Sequence, residues 1–345
     1  MRLNFSADVL PPQTSGPLEL APEDRKGYEQ WLLAENYGIT ALKILPGNIG
    51  YVDFKWFCGP EYAGDTYAAM MNYIAHTDAL IIDLRNSQGA MSTEVIPFLS
   101  SYFFERPTHL NDYYWREGNR TVQAWTQLVV PGKKYLNKPL YILTSGKTFS
   151  GAEEFAYNFK YLKRATIIGE STGGGANGGG SVRVSDHFNM FIPMGRSINP
   201  ITKTNWEGIG VEPDTLIKSS RALHKAQTIA LEYLVKKFDN DANWKGYLVS
   251  QLDQIRKAEP VFSKHSFVLQ GFENAKEVYV AGSFNNWSAK SDKLQRKGSI
   301  WNTDVEAEPG KHTYKFIVDG RWILDPNNPD KVTEGNNDNS VLIIK

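Results

Sequence analysis

Cysteine is nearly missing: Cys58 is the single thiol in 345 residues. One thiol excludes an internal disulfide framework and any cysteine-built zinc cluster. A surplus of charge is missing too, because Lys plus Arg and Asp plus Glu each number 38. Such balance does not suit a nucleic-acid binder that works by broad neutralisation of phosphates. No run of about 18 apolar residues occurs, so no membrane span is expected. The opening MRLNFSADVLPPQTSGPLEL lacks the apolar stretch of a signal peptide. As written the chain reads as cytoplasmic; a longer N-terminus carrying a signal would make it periplasmic or secreted. What is present is a globular mixture, 41% hydrophobic and 22% charged. At roughly 150 residues per domain the length suggests about two domains. Nine tryptophans stand out, three of them in the last 60 residues.

Residues 1–39 read as a polar, Pro-rich arm followed by a short helix. Two apolar runs around Pro46-Gly47-Asn48 signal a hairpin. EYAGDTYAAMMNYIAHTD has apolar residues at helical spacing, and ALIIDLR (79–85) is a continuous apolar run of the kind found in buried strands. STEVIPFLSSYFFER suggests a helix whose early turns are compromised by Pro97. PLYILTSG (139–146) is a second buried strand, GAEEFAYNFKYLKR an amphipathic helix and ATIIGE a further strand. Strands alternating with helices predict an α/β core over 40–218, largely parallel. A helix-prone segment and linker occupy 219–260. After Pro260 short strands alternate with Asn, Gly, Asp and Pro, predicting an all-β sandwich over 261–345.

YILTSGKTFSGAEEFAY carries the strongest chemical signal. A buried strand ends, a short turn follows, and Ser150 stands where a helix begins. Free N–H groups of a first helical turn are aimed at developing negative charge. The competing reading is structural: Ser-Gly-Ala-Glu is a capping box with Glu153 at the third helical position.

The context resembles the tail-specific protease family of serine peptidases, in the branch containing tricorn-type peptidases and the interphotoreceptor retinoid-binding protein. The segments carrying the likeness are ILPGNIGYVDF, DALIIDLR, SYFFERPTHLNDYYWREGNRT, LTSGKTFSGAEEFAYN, LKRATIIGESTGGGA and GRSINPITKTNWEGIGVEPD. The resemblance implies a crotonase-like mixed sheet flanked by helices, a polypeptide substrate and no cofactor or metal. It makes Ser150 the nucleophile and assigns the oxyanion to the backbone N–H groups of Gly151 and Gly89. The loop STGGGANGGG (171–180) holds no lysine, which points to the branch with a histidine base oriented by a glutamate, here Glu207. The family's histidine precedes a segment that Met1-Arg2-Leu3-Asn4-Phe5 resembles, so the base is expected upstream of Met1, together with a helical domain. His76, His109, His187, His224, His265 and His312 are not in that setting. Asn86-Ser87-Gln88-Gly89 stands where the family often has Asn-Gly-Gly-Gly, and Asn177-Gly178 where it often has His-Pro.

Trp287 and Trp322 each follow a polar turn. An exposed indole suits the C–H face of a sugar; it equally suits a plug at the end of a sandwich. VYVAGSFNNW, EPGKHTYKFIVDGRW, LDPNNP and NDNSVLIIK resemble the glycogen-binding module of the AMP-activated protein kinase β-subunit, which has an immunoglobulin-like fold. That likeness implies an α-glucan ligand held by Trp287, Lys315, Trp322 and Asn339. It assigns Trp301 to the core and leaves Gly335 where the family has an apolar residue. Two readings follow: a serine peptidase with a glucan-binding module, or an inactive peptidase-fold scaffold or small-ligand binder brought to glycogen.

Overall fold

The computed structural model describes residues 2–12, 22–259, 261–285, 287–335 and 337–345. In chain order its strands are β1 (Arg2–Phe5), β2 (Ile39–Leu45), β3 (Ile49–Phe54), β4 (Ala79–Asp83), β5 (His109–Trp115), β6 (Arg120–Trp125), β7 (Leu140–Thr144), β8 (Thr166–Gly169), β9 (Gly179–Ser185), β10 (Phe188–Pro193), β11 (Gly195–Ile198) and β12 (Thr215–Leu216). The helices are α1 (Pro22–Ala34), α2 (Pro60–Ile74), α3 (Val95–Ser100), α4 (Gly151–Tyr161), α5 (Ser219–Lys237) and α6 (Ala242–Lys257).

The central sheet has the order β12-β8-β7-β4-β3-β2. Its inner strands run parallel and β2 is antiparallel to β3. It is therefore a mixed sheet. β4 and β7 are buried at every position, which explains why they lack alternation: both faces are covered. One face packs Leu80, Ile82 and Ile142 against α2, α3 and α4. The other packs Ile81, Tyr141 and Leu143 against Ala226, Ala230, Leu231 and Leu248 of α5 and α6. The helix expected over 92–106 shrinks to α3, with Pro97 inside its first turn, followed by a 3-10 turn over Ser101–Phe103. The N-terminal arm includes a strand: Arg2–Phe5 pairs antiparallel with β10.

The C-terminal strands are β13 (Ser263–Gln270), β14 (Val278–Gly282), β15 (Asp292–Lys293), β16 (Gln295–Lys297), β17 (Ile300–Ala307), β18 (Gly310–Val318), β19 (Arg321–Ile323), β20 (Lys331–Glu334) and β21 (Asn337–Ile344). They form two sheets, β13-β17-β16 and β15-β14-β18-β21-β20, with β19 paired to β18. Phe267, Leu269, Trp301 and Val305 of the first sheet share one apolar cluster with Val280, Tyr314, Phe316 and Ile344 of the second.

Candidate active site and glycan face

Two neighbouring parallel strands, β4 and β7, end side by side, and hydrogen bonds stitch the turns beyond them together. Thr148 Oγ1 donates to the Leu84 carbonyl at 2.7 Å and accepts from the Ser145 N–H at 2.9 Å. The Phe149 N–H donates to the Ser87 carbonyl at 3.1 Å. On the far side, the Phe57 N–H donates to the Gly89 carbonyl at 2.8 Å. This places Gly89 against Ser150: a Cβ built on Gly89 would lie 2.9 Å from Ser150 Cβ and 3.3 Å from the Gly151 nitrogen. Gly89 has φ +121°, and only glycine combines that backbone with so close an approach. Gly151 is equally constrained, since its Cβ would fall 2.4 Å from the Ala90 Cβ.

Ser150 is exposed at the N-terminus of α4 with φ +53° and ψ −124°. An N-cap residue ordinarily has extended backbone; this one is strained, as at the strand-to-helix turns that present nucleophilic serines. Among the described residues neither the Gly89 nor the Gly151 N–H donates to a backbone acceptor. Ser150 therefore stands beside two unused backbone donors, the arrangement that stabilises an oxyanion.

Glu153 holds the turn in place. Its carboxylate accepts from the Ser150 N–H at 2.8 Å, the Gly174 N–H at 2.7 Å, the Gly175 N–H at 2.8 Å and the Thr172 hydroxyl at 2.5 Å. Burial pushes this carboxyl above its ordinary range, and those donors pull it back. The sequence presents Glu153 as a local cap; three of its four donors come from a loop about 20 residues on. Glu154 beside it is also buried and accepts from the Tyr113 hydroxyl. Burial pushes its carboxyl up to about 7.

Glu207 is exposed, and one carboxylate oxygen accepts from the Ala176 N–H at 2.8 Å and the Asn177 N–H at 2.9 Å. Trp206, fully buried against Tyr157, fixes the preceding residue. The glycine loop is thus tied to Glu153 at one end and Glu207 at the other. Phe149 lies across it, since a Cβ on Gly175 would meet the ring at 2.2 Å. Among the described residues no histidine hydrogen-bonds to Ser150 or Glu207. His76 meets Lys133, His109 pairs with Asp112 at 2.8 Å, and His187 reaches the Ser6 carbonyl. His224 and His312 bond the carbonyls of Ile255 and Glu308, and His265 packs on Phe267. Among the described residues no His, Cys, Asp and Glu grouping could hold a metal ion, and no helix is long and apolar enough to cross a membrane.

In the C-terminal unit, side chains alternate across each strand and opposed residues share a face. Lys315 lies opposite Ala281, Ile317 opposite Trp322, Thr313 opposite Val341 and Val332 opposite Asn339. Lys315, Trp322 and Asn339 consequently share the face turned away from Tyr314 and Phe316. Trp287 joins them, its ring centroid 6.3 Å from that of Trp322. Asn285 anchors the turn that carries Trp287, accepting from the Gly282 N–H and donating to the Val280 carbonyl, each at 2.9 Å. Trp322 is 46% exposed, Trp287 is half-buried and Trp301 is core. Asn339 is buried, and its amide donates to Glu334 at 2.8 Å. Nothing in the sequence reading had singled out Glu334.

Comparison with known proteins separates the same two units. Residues 48–217 match the family described as peptidase family S41, and residues 266–345 match the glycogen recognition site of AMP-activated protein kinase. The chain is 32% identical over 101 residues to the 5'-AMP-activated protein kinase subunit beta-2 of Mus musculus, covering 29% of this chain and 37% of that subunit. It is 39% identical over 71 residues to protein PTST homolog 2, chloroplastic, of Arabidopsis thaliana, covering 21% of this chain and 13% of that protein. The chain thus spans about a third or less of these relatives. Among solved structures, the photosystem II D1 C-terminal processing protease aligns at TM-score 0.41 and 22% identity, covering 53% of this chain and 47% of its own. A lipoprotein from Streptococcus agalactiae aligns at TM-score 0.43 and 18% identity, covering 55% and 68%. The chain carries a peptidase family S41 domain over residues 48–217, joined to an AMP-activated-protein-kinase-type glycogen recognition module over residues 266–345.

Proposed function

We propose that the core is a serine-type peptidase fold in which Ser150 attacks a scissile carbonyl to form an acyl-enzyme. The N–H groups of Gly89 and Gly151 receive the oxyanion, and Glu207 orients the base. The observation that carries this is the strained, exposed Ser150 pressed against Gly89, with both N–H groups unspent. In this reading the proton acceptor is a group that the described residues do not place beside Ser150. The test is a peptide boronate, which bonds a serine oxygen and places a boron-bound oxygen in the oxyanion site. Boron NMR is expected to show a tetrahedral adduct with the wild type and none with Ser150→Ala. Equal signals from the two would overturn the assignment.

The C-terminal unit, on this reading an immunoglobulin-like sandwich, binds α-glucan through Trp287, Trp322, Lys315 and Asn339. The paired indoles on one sheet face support it. Glycogen co-sedimentation of the full chain should be lost in the Trp287→Ala, Trp322→Ala double variant. Equal retention would refute it.

A further inference from the structure

Glu334 sits on the sheet face that carries Lys315, Trp322 and Asn339, since it lies opposite Asn337 at the end of the β20–β21 hairpin, in phase with Val332 and Asn339. It is exposed, whereas Asn339 beneath it is 3% exposed and Thr313 is 7% exposed. Both buried groups donate to the same carboxylate oxygen: the Asn339 amide to Oε2 at 2.8 Å and the Thr313 hydroxyl to Oε2 at 3.2 Å. Among the described residues Oε1 has no hydrogen-bond partner. An ionised carboxylate offers acceptors only. Its orientation is fixed here by two donors from below, and a free acceptor is left above, on the face of the two indoles. The neighbouring Gly335 has φ +62° and nothing within 4 Å of the place a Cβ would take, so no side chain covers the carboxylate from that position.

Resting on the glucan-binding reading, we propose that Glu334 is the hydroxyl acceptor of this glycan face, and that Asn339 and Thr313 are positioning residues acting through it. A neutral polyol fits this chemistry. Its C–H face lies on Trp287 and Trp322, and one of its hydroxyls donates to Glu334, a charge-assisted bond stronger than a neutral pair would make. Asn339 then contributes by holding the carboxylate in place.

The experiment is isothermal titration of the full chain with maltoheptaose. Glu334→Gln keeps the shape and the contact with Asn339 but loses the charge, and should weaken binding about fivefold. Glu334→Ala should weaken it about tenfold or more, on the usual worth of a hydrogen bond to a charged group. Asn339→Ala should weaken binding in the wild-type background and add nothing to Glu334→Ala, because its effect runs through the lost carboxylate. Glu334 variants within twofold of wild type, with the double tryptophan variant inactive, would overturn the proposal and leave the glucan reading standing. An additive Asn339→Ala effect would overturn the positioning role. A wild-type chain that does not bind maltoheptaose would overturn the proposal and the reading beneath it together.

Discussion

Replacing Glu154 by Gln should stabilise the core, and only above a definite pH. Glu154 is buried on α4, and burial lifts its carboxyl from 4.5 to about 7, with the Tyr113 hydroxyl opposing the lift. A carboxyl whose folded value exceeds its unfolded value binds more protons folded than unfolded between those two points. Stability therefore falls as pH rises from about 4.5 to about 7 and is level beyond. At about 1.4 kcal/mol per pH unit, the full loss is about 3 kcal/mol. Gln cannot ionise and can still accept from Tyr113. The variant should match wild type near pH 4.5 and exceed it by up to about 3 kcal/mol at pH 8. Urea unfolding of the core, followed by far-ultraviolet circular dichroism at several pH values, measures the difference curve. A difference that stays flat with pH, or that favours wild type at pH 8, would refute the reasoning.

Ser150→Gly should unfold about 1 kcal/mol later than Ser150→Ala, because glycine relieves the positive φ that alanine keeps; equal stability would mean that the turn is unstrained. The 345-residue chain should hydrolyse casein no faster than its Ser150→Ala form, since its histidines are engaged away from Ser150 and Glu207. Serine-dependent turnover would show that another residue accepts the proton.

The elements with strong period or punctuation were legible in the sequence. The hairpin at Pro46-Gly47-Asn48, the apolar runs of β4 and β7 and the amphipathic α4 all stand where the pattern put them. What escaped was non-local. The pairing of Arg2–Phe5 with Phe188–Phe191 joins two short segments far apart in the chain, and neither signals its partner. Glu153 looked like a cap because its nearest donor is the Ser150 N–H. Its other donors lie in a glycine loop whose docking no local pattern announces. Asn339 was read from a resemblance as a ligand group. Its burial beneath Glu334 depends on the cross-strand register, which the run of Asn and Asp residues leaves open.

The fastening of Glu153 bears on the order in which the parts of the core assemble. The Ser150 N–H donates to Glu153, and the other donors to that buried carboxylate are Thr172, Gly174 and Gly175 of the docked loop. A buried carboxylate lacking those donors is costly, so the serine turn and the glycine loop are expected to form in one cooperative event. A partly unfolded chain then carries a relaxed serine turn. The strained turn that presents Ser150 arrives with completion of the core.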